Sequence, residues 1–254
     1  MTAPVPVRPD RNERDRGRMY DEYFESRKPI ELGHKLWRRF HRKMLAAASR
    51  IIPDFSKRTI LELGPGLGIF AEEVRGKTAG YSAIEMNAGN AERLRAAGFD
   101  VVNATVPPFP DGPPAGVVWM SHVLEHARDF VEARTMVSEA ARRLAPGGWL
   151  VVIAPDVLSW KEHFFEVDWT HGYPTSLGRV EQLLRDAGFE VAFARHHTAG
   201  FLNPVAMFFA TNLLRALPFD ALDALTRPFT GRRLFFSFMS MMGWRQIFVA
   251  GRKR

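Results

Sequence analysis

The stretch "ILELGPGLGIF", residues 60–70, decides the fold. Its first half is an apolar run broken only by Glu62, and "RTILELG" reads as a buried strand. Its second half places Gly64, Gly66 and Gly68 at alternate positions. Glycine adopts backbone conformations that side chains forbid, so such a loop can turn tightly and approach a ligand closely. "LGIFAEEVRG" then reads as a helix closed by Gly76. Strand, glycine loop and helix in that order form one unit of an α/β sheet.

The same texture continues outward. "GYSAIEM", "FDVVNA", "AGVVWMSH", "WLVVIAPD", "EVAFARH" and "RQIFVAGRKR" read as further strands. Between them "AGNAERLRAAG", "ARDFVEARTMVSEAARRLAPGG" and "SLGRVEQLLRDAGF" read as helices, the second with a Pro-Gly-Gly stop. Apolar strands alternating with helices imply a doubly wound, seven-stranded parallel sheet covered on both faces. Ligands of such sheets bind beyond the carboxyl ends of the strands. Upstream, "GHKLWRRFHRKMLAAASRI", residues 33–51, has helical periodicity with Leu36, Trp37, Phe40 and Met44 on one face. Lys35, Arg38, Arg39 and Arg42 fall on another. This helix either packs on the domain or presents its arginines to a membrane or an acidic ligand. The expected organisation is a loose basic tail over 1–18 and a helical cap over 19–52. An α/β core follows over 53–199, then an apolar helical insertion over 200–244 and the last strand over 245–254.

Composition narrows the chemistry. The 254 residues contain no cysteine, which removes disulfides, thiolate metal sites and cysteine nucleophiles. Apolar residues make up 46 %, enough for a real core. Net charge is +7, so nucleic acid, anionic lipid or acidic substrates are conceivable partners. Nothing near the N-terminus resembles an apolar signal segment, and no stretch is long enough to span a bilayer. The expectation is a cytoplasmic protein with peripheral membrane contact as a variant.

Two acids sharpen the glycine loop. Glu85 closes the second strand, 21 positions after Gly64, where a carboxylate can accept hydrogen bonds from both hydroxyls of a ribose. Glu62 precedes the loop. A pyrophosphate would be repelled by it, whereas a ligand with a cationic amino-acid end would suit it.

At this point the sequence resembles a known family. "ILELGPGLGIF", "YSAIEMN", "VVWMSHVLEHARDF" and "LAPGGWLVVIAPD" are similar in order and spacing to the Rossmann-like methyltransferases that use S-adenosylmethionine. The branch they look most like is the small-molecule branch that includes ubiquinone-biosynthesis O-methyltransferases. The resemblance covers about residues 58–197 and the last strand. It implies that Glu62, Gly64, Gly66 and Gly68 hold the methionine end of S-adenosylmethionine, that Glu85 binds the ribose and that Met86 packs on the adenine. The family often has an acid after the third strand to read the adenine amino group. Asn103 and Ala104 stand there instead.

"SHVLEH", residues 121–126, follows strand four. Ser121 and His122 fall beside the expected methyl group, and both are taken as cofactor-facing. On a helical turn, His122, Glu125 and His126 would project together. The preferred reading is a polar turn without metal. A catalytic base at His122 and a metal triplet of His122, Glu125 and His126 are the alternatives. The O-methyltransferases that bind magnesium here have a glutamate where this chain has His122.

A second group of candidates lies in "HFFEVDWTHGYPTS", residues 163–176, where Asp168, His171 and Tyr173 cluster. His171 and Asp168 are candidate bases, because methyl transfer to oxygen needs the hydroxyl deprotonated. A lid turn packed by Trp169 and Tyr173 is the other reading. His196 and His197 are read as surface residues.

Residues 200–244 are dense in Phe and Met with arginines interspersed. They form a lid over an apolar substrate, an interfacial element, or plain packing such as a homodimer contact. The expected function is methyl transfer to a small-molecule acceptor, at a hydroxyl of an apolar or lipid-like compound. A nucleic-acid methyltransferase and a non-catalytic cofactor-binding scaffold are the alternatives. Against nucleic acid stands the lack of an Asn/Asp-Pro-Pro-aromatic stretch after strand four and of any RNA-binding module.

Overall fold

The computed structural model describes residues 31–198, 209, 218–230 and 243–254. The expected tail at 1–18, the start of the cap and most of the 200–244 insertion lie outside these residues.

The elements run α1 (Glu31–Ile51), β1 (Thr59–Leu63), α2 (Ile69–Val74), β2 (Gly80–Glu85), α3 (Ala88–Ala96), β3 (Asp100–Asn103) and β4 (Ala115–Ser121). A 3-10 turn follows at Leu124–His126, then α4 (Phe130–Arg143), β5 (Leu144–Pro155), two short helices α5 (Val157–Trp160) and α6 (His163–Glu166), and α7 (Leu177–Asp186). β6 (Phe189–His197), α8 (Phe219–Thr230) and β7 (Gln246–Lys253) are the last elements among the described residues.

The seven strands form one sheet in the order β3-β2-β1-β4-β5-β7-β6. The sheet is mixed rather than wholly parallel. β7 runs antiparallel to both β5 and β6, with Ile153 opposite Phe248 and Ala194 opposite Val249. A strand buried on both faces reads as an apolar run whichever way it points, so sequence pattern does not report its direction. β1 lies between β2 and β4, and the chain reverses its winding there. That switch point places the ends of β1, β2 and β4 around one crevice.

Two apolar layers sandwich the sheet. On one face α4 and α7 contribute Met136, Val137, Ala140, Val180 and Leu184 to a cluster with Leu63, Met120, Leu150 and Val249. On the other, α1 lays Phe40, Met44, Leu45 and Ala48 against Ile60, Phe70, Trp119, Val151 and Phe248. Each large apolar side chain so buried contributes about 1.5–3 kcal/mol, which is why α1 docks by its apolar stripe. Its basic edge is used as well. Arg42 Nε donates to Glu73 Oε2 at 2.7 Å, and Arg38 Nε lies 3.4 Å from Oε1 of the same buried carboxylate.

The helix before β5 is shorter than its pattern. Asp129 caps it by accepting from the N–H groups of Val131 and Glu132, both at 2.9 Å, and it ends at Arg143. Pro146, Gly147 and Gly148 fall inside β5, where the register with β4 shifts between Ala115 and Val117. The expected helix stop is therefore a bulge at the start of a strand. Among the described residues no helix is long and apolar enough to cross a membrane.

Candidate active site

The glycine loop lies at the end of β1, and its three glycines all have positive φ: 60° at Gly64, 52° at Gly66 and 74° at Gly68. A Cβ on Gly68 would meet Leu94 Cδ2 at 2.4 Å, and one on Gly64 would meet Val123 Cγ2 at 3.0 Å. The loop is held from outside by Arg93 of α3, which donates to the carbonyls of Gly66 at 2.9 Å and Leu67 at 3.2 Å.

Glu85 ends β2 beneath this loop. Its Oε2 accepts from Gly66 N–H and its Oε1 from Asn87 N–H, each at 2.8 Å. Burial raises its pKa, opposed by those two bonds and by Arg93. A carboxylate has about four acceptor sites, so Glu85 can brace the loop and still receive two hydroxyls. Asn103 ties the same region together. Its amide Nδ2 donates to the carbonyls of Glu85 at 2.8 Å and Met86 at 3.0 Å. Ala104 N–H donates to the Glu85 carbonyl at 3.1 Å. Glu62 is buried in β1 and accepts from the hydroxyl of Tyr81 at 2.5 Å. Burial pushes its carboxyl up to about 8, with the Tyr81 bond opposing and nearby Glu85 adding.

Ser121 and His122 stand at the end of β4, and His122 has a φ of 57°. For a residue with a side chain this is an uncommon, strained conformation, of the kind that gathers at functional sites. The His122 N–H is anchored to the Ile153 carbonyl at 2.8 Å. Its ring packs edge-on against Trp37 of α1, with centroids 5.3 Å apart. Nδ1 lies 3.2 Å from Oε1 of Glu125, an ion-pair distance without the alignment of a good hydrogen bond. Nε2 is buried with no hydrogen-bond partner among the described residues, as is Ser121 Oγ.

Glu125 is wholly buried in the 3-10 turn. Burial acts to raise its pKa, but His122, with lesser contributions from His126 and His171, brings the balance below the usual value. The loop after β5 closes over the turn. Tyr173 N–H donates to the Glu125 carbonyl at 3.1 Å, and the His126 and His171 rings meet at 4.9 Å. His126 Nδ1 lies 2.7 Å from Thr170 Oγ1, which donates to Asp168 Oδ1 at 2.7 Å. His171 Nδ1 lies 2.6 Å from the Phe164 carbonyl.

The residues singled out in sequence thus fall into two neighbouring groups. Glu62, the glycines, Glu85, Met86, Asn103 and Ala104 surround the ends of β1 and β2. Ser121, His122, Asp168 and His171 surround the end of β4. Four contributors were not read as site residues in sequence: Tyr81, Arg93, Trp37 and Thr170. Tyr81 sits at strand position two before Ala83, opposite the Glu62 strand, and only the register reveals the pairing. His196, read as a surface residue, has Nε2 3.0 Å from Oδ2 of buried Asp156.

The methyltransferase-domain sequence family matches residues 35–192. No curated protein matches the chain in sequence. A SAM-dependent methyltransferase of Thermotoga maritima superposes with a TM-score of 0.59 at 19 % identity, covering 94 % of this chain and 97 % of that one. One from Archaeoglobus fulgidus gives 0.56 at 17 % identity, covering 92 % and 99 %. Phosphoethanolamine N-methyltransferase 2 of Haemonchus contortus, in complex with S-adenosyl-L-methionine, gives 0.55 at 16 % identity, covering 83 % of this chain and 52 % of that one. The likeness to these three is one of fold.

Proposed function

Because the chain belongs to the methyltransferase-domain family, we propose that it moves the methyl group of S-adenosylmethionine to a hydroxyl of a small apolar acceptor. The residues present suit this cofactor. Gly64 and Gly68 leave no room for a Cβ beside the crevice. Glu85 lies below with acceptor capacity in reserve, and buried Glu62 waits with a raised pKa for a cationic partner. In this reading Glu62 takes the amino end, Glu85 the ribose hydroxyls, and Met86 with Asn103 and Ala104 the rim of the adenine. When bound, the cofactor supplies a methyl group already activated on a sulfonium, so alignment provides much of the rate.

The observation that carries the hydroxyl reading is His122. Its strained backbone fixes the ring at the end of β4, Nδ1 faces Glu125, and Nε2 is buried with no hydrogen-bond partner among the described residues. His122 takes the acceptor's proton at Nε2. Glu125 holds the ring and stabilises the imidazolium that forms. Trp37 and Phe40 wall the ring on one side, so apolar acceptors suit the space better than charged ones. Asp168 acts on Thr170 and through it on His126, and is not placed as a base.

The test has two steps. Calorimetric titration with S-adenosylhomocysteine should show binding that Glu85→Ala weakens by about 10–100-fold, the worth of lost charged hydrogen bonds. Transfer of labelled methyl from S-adenosylmethionine to matched phenols and amines should then favour the phenols. His122→Ala should lower kcat by about 10²–10⁴-fold with cofactor affinity kept. A folded wild type that does not bind S-adenosylhomocysteine would sink the proposal. Preference for amines would sink its hydroxyl part.

A further inference from the structure

Glu125, His126 and His171 bring one carboxylate and two imidazoles together, with a ligand atom from each within 4.8 Å of the others. The third member was not legible in the sequence. By sequence the candidate triplet is His122, Glu125 and His126, with a polar turn without metal as the preferred reading. The fold exchanges His122 for His171, which arrives on the loop after β5.

Three features of this cluster go beyond proximity. First, Glu125 is wholly buried, and neither of its carboxylate oxygens has a hydrogen-bond partner among the described residues. A buried carboxylate without such partners is costly unless it meets a cation. Second, the tautomer of both rings follows from their outer partners. A carbonyl can only accept, so His171 carries its proton on Nδ1, toward Phe164. Thr170 gives its own proton to Asp168 and therefore accepts from Nδ1 of His126. In both rings the ligating role falls to Nε2. Third, these outer partners are of the kind that orient metal-binding histidines: a backbone carbonyl for one ring, and a hydroxyl relayed to a carboxylate for the other.

We infer that Glu125, His126 and His171 form a binding site for a borderline divalent cation of the zinc or manganese type. Two nitrogens and one oxygen favour such ions over magnesium, which prefers an all-oxygen set with several waters. Oε1 of Glu125 faces His122, so Oε2 is the oxygen the cation takes. Ligands of a tetrahedral zinc site lie about 2.0–2.1 Å from the metal, so the cluster must draw in on binding. Three protein ligands leave a position for water or for the acceptor's oxygen. That last role rests on the methyl-transfer reading; the cation site itself does not.

The experiment uses the full chain without an affinity tag, stripped with chelator. It is titrated with zinc and with cobalt(II), whose visible absorption reports the coordination of bound ion. S-adenosylhomocysteine binding is measured on the same samples. The expected result is one equivalent of cation, with a cobalt spectrum typical of low coordination number. Glu125→Gln and His171→Ala should each abolish it. Thr170→Val, which removes the outer partner of His126 but no proposed ligand, should weaken binding by about 10–100-fold. His197→Ala on β6 should leave it unchanged. A folded wild type that binds S-adenosylhomocysteine but no stoichiometric cation overturns the site and leaves a carboxylate–imidazole latch. Binding undiminished in His171→Ala overturns it equally. Loss of both ligands by folded wild type would count against the cofactor reading as well.

Discussion

Tyr81 donates its hydroxyl proton to Oε2 of Glu62 across 2.5 Å, inside a site where Glu62 is almost fully buried. The neighbouring strand thus supplies the donor that keeps this carboxyl in place before any cofactor arrives. Burial pushes the Glu62 carboxyl from 4.5 up to about 8. A ligand ammonium would favour the ionised form, so binding at neutral pH must release a proton. Calorimetric titration of S-adenosylhomocysteine in buffers of different ionisation enthalpy should show close to one proton released at pH 7. Affinity should rise with pH and level off above about 8. Equal heats in every buffer would remove Glu62 from the amino-end role.

The same shift has a sign for stability. The folded chain holds a proton on Glu62 that the unfolded chain gives up above 4.5. The contribution of this group is therefore fully present below 4.5 and is lost as pH rises through about 8. Burial and nearby His122 hold the His41 imidazole at about 3, which acts oppositely: that contribution is fully present above 6.5 and is lost as pH falls to about 3. Wild type alone would blur the two. Glu62→Gln should therefore gain on wild type in denaturant midpoint between pH 5 and pH 8, and a constant difference would show that Glu62 ionises normally.

Gly68 and Gly76 separate backbone strain from crowding. Both have positive φ, 74° and 70°, but only at Gly68 would a Cβ collide, with Leu94 Cδ2. Gly76→Ala should cost about 1–2 kcal/mol, the left-handed penalty alone. Gly68→Ala should add about 1–3 kcal/mol of overpacking against buried Leu94. Urea unfolding reads both. Equal losses would mean that Leu94 moves aside freely.

How much was legible follows from where the information lies. The glycine loop, Glu62 and Glu85 are local to single strand ends, and the inner strands β1, β4, β5 and β7 announce themselves as apolar runs, whereas the edge strands β3 and β6 carry polar residues. The direction of β7 left no trace, since a doubly buried strand has no polar face to orient it. His171 joined Glu125 only through the path of a loop, and no sequence spacing tied Thr170 to His126, 44 positions away. Sequence offered no reason to place Trp37 against His122. That contact depends on which side of the sheet α1 covers, a property of packing rather than of periodicity.

The docking of α1 is itself testable. Glu73 is buried, and Arg38, Arg42 and Lys77 converge on it at 3.4, 2.7 and 3.8 Å. Glu73→Ala should leave three cations facing one another and loosen the helix. Hydrogen exchange over residues 34–51 should accelerate, and the Trp37 fluorescence environment should change. Arg42→Ala should do little, because the arginine is largely exposed and two cations remain. If Glu73→Ala leaves exchange over α1 unaltered, its apolar stripe alone holds it.

Thr170→Val tests the relay between the two loops. The substitution keeps the shape and removes the hydroxyl that links His126 Nδ1 to Asp168 Oδ1. Asp168 keeps its bond from the Thr170 backbone N–H at 3.0 Å but loses the one from the side chain. His126 loses the acceptor that fixes its tautomer. Each loss leaves a poorly solvated polar group, at about 1–3 kcal/mol. Thr170→Val should therefore lower the urea midpoint measurably, whereas Thr170→Ser should restore it. The nuclear magnetic resonance signals of the His126 ring nitrogens should report a fixed Nδ1–H tautomer in wild type and Thr170→Ser and a mixture in Thr170→Val. A single tautomer in all three would mean that the orientation of His126 is set by Glu125 and His171, not by the Asp168 loop.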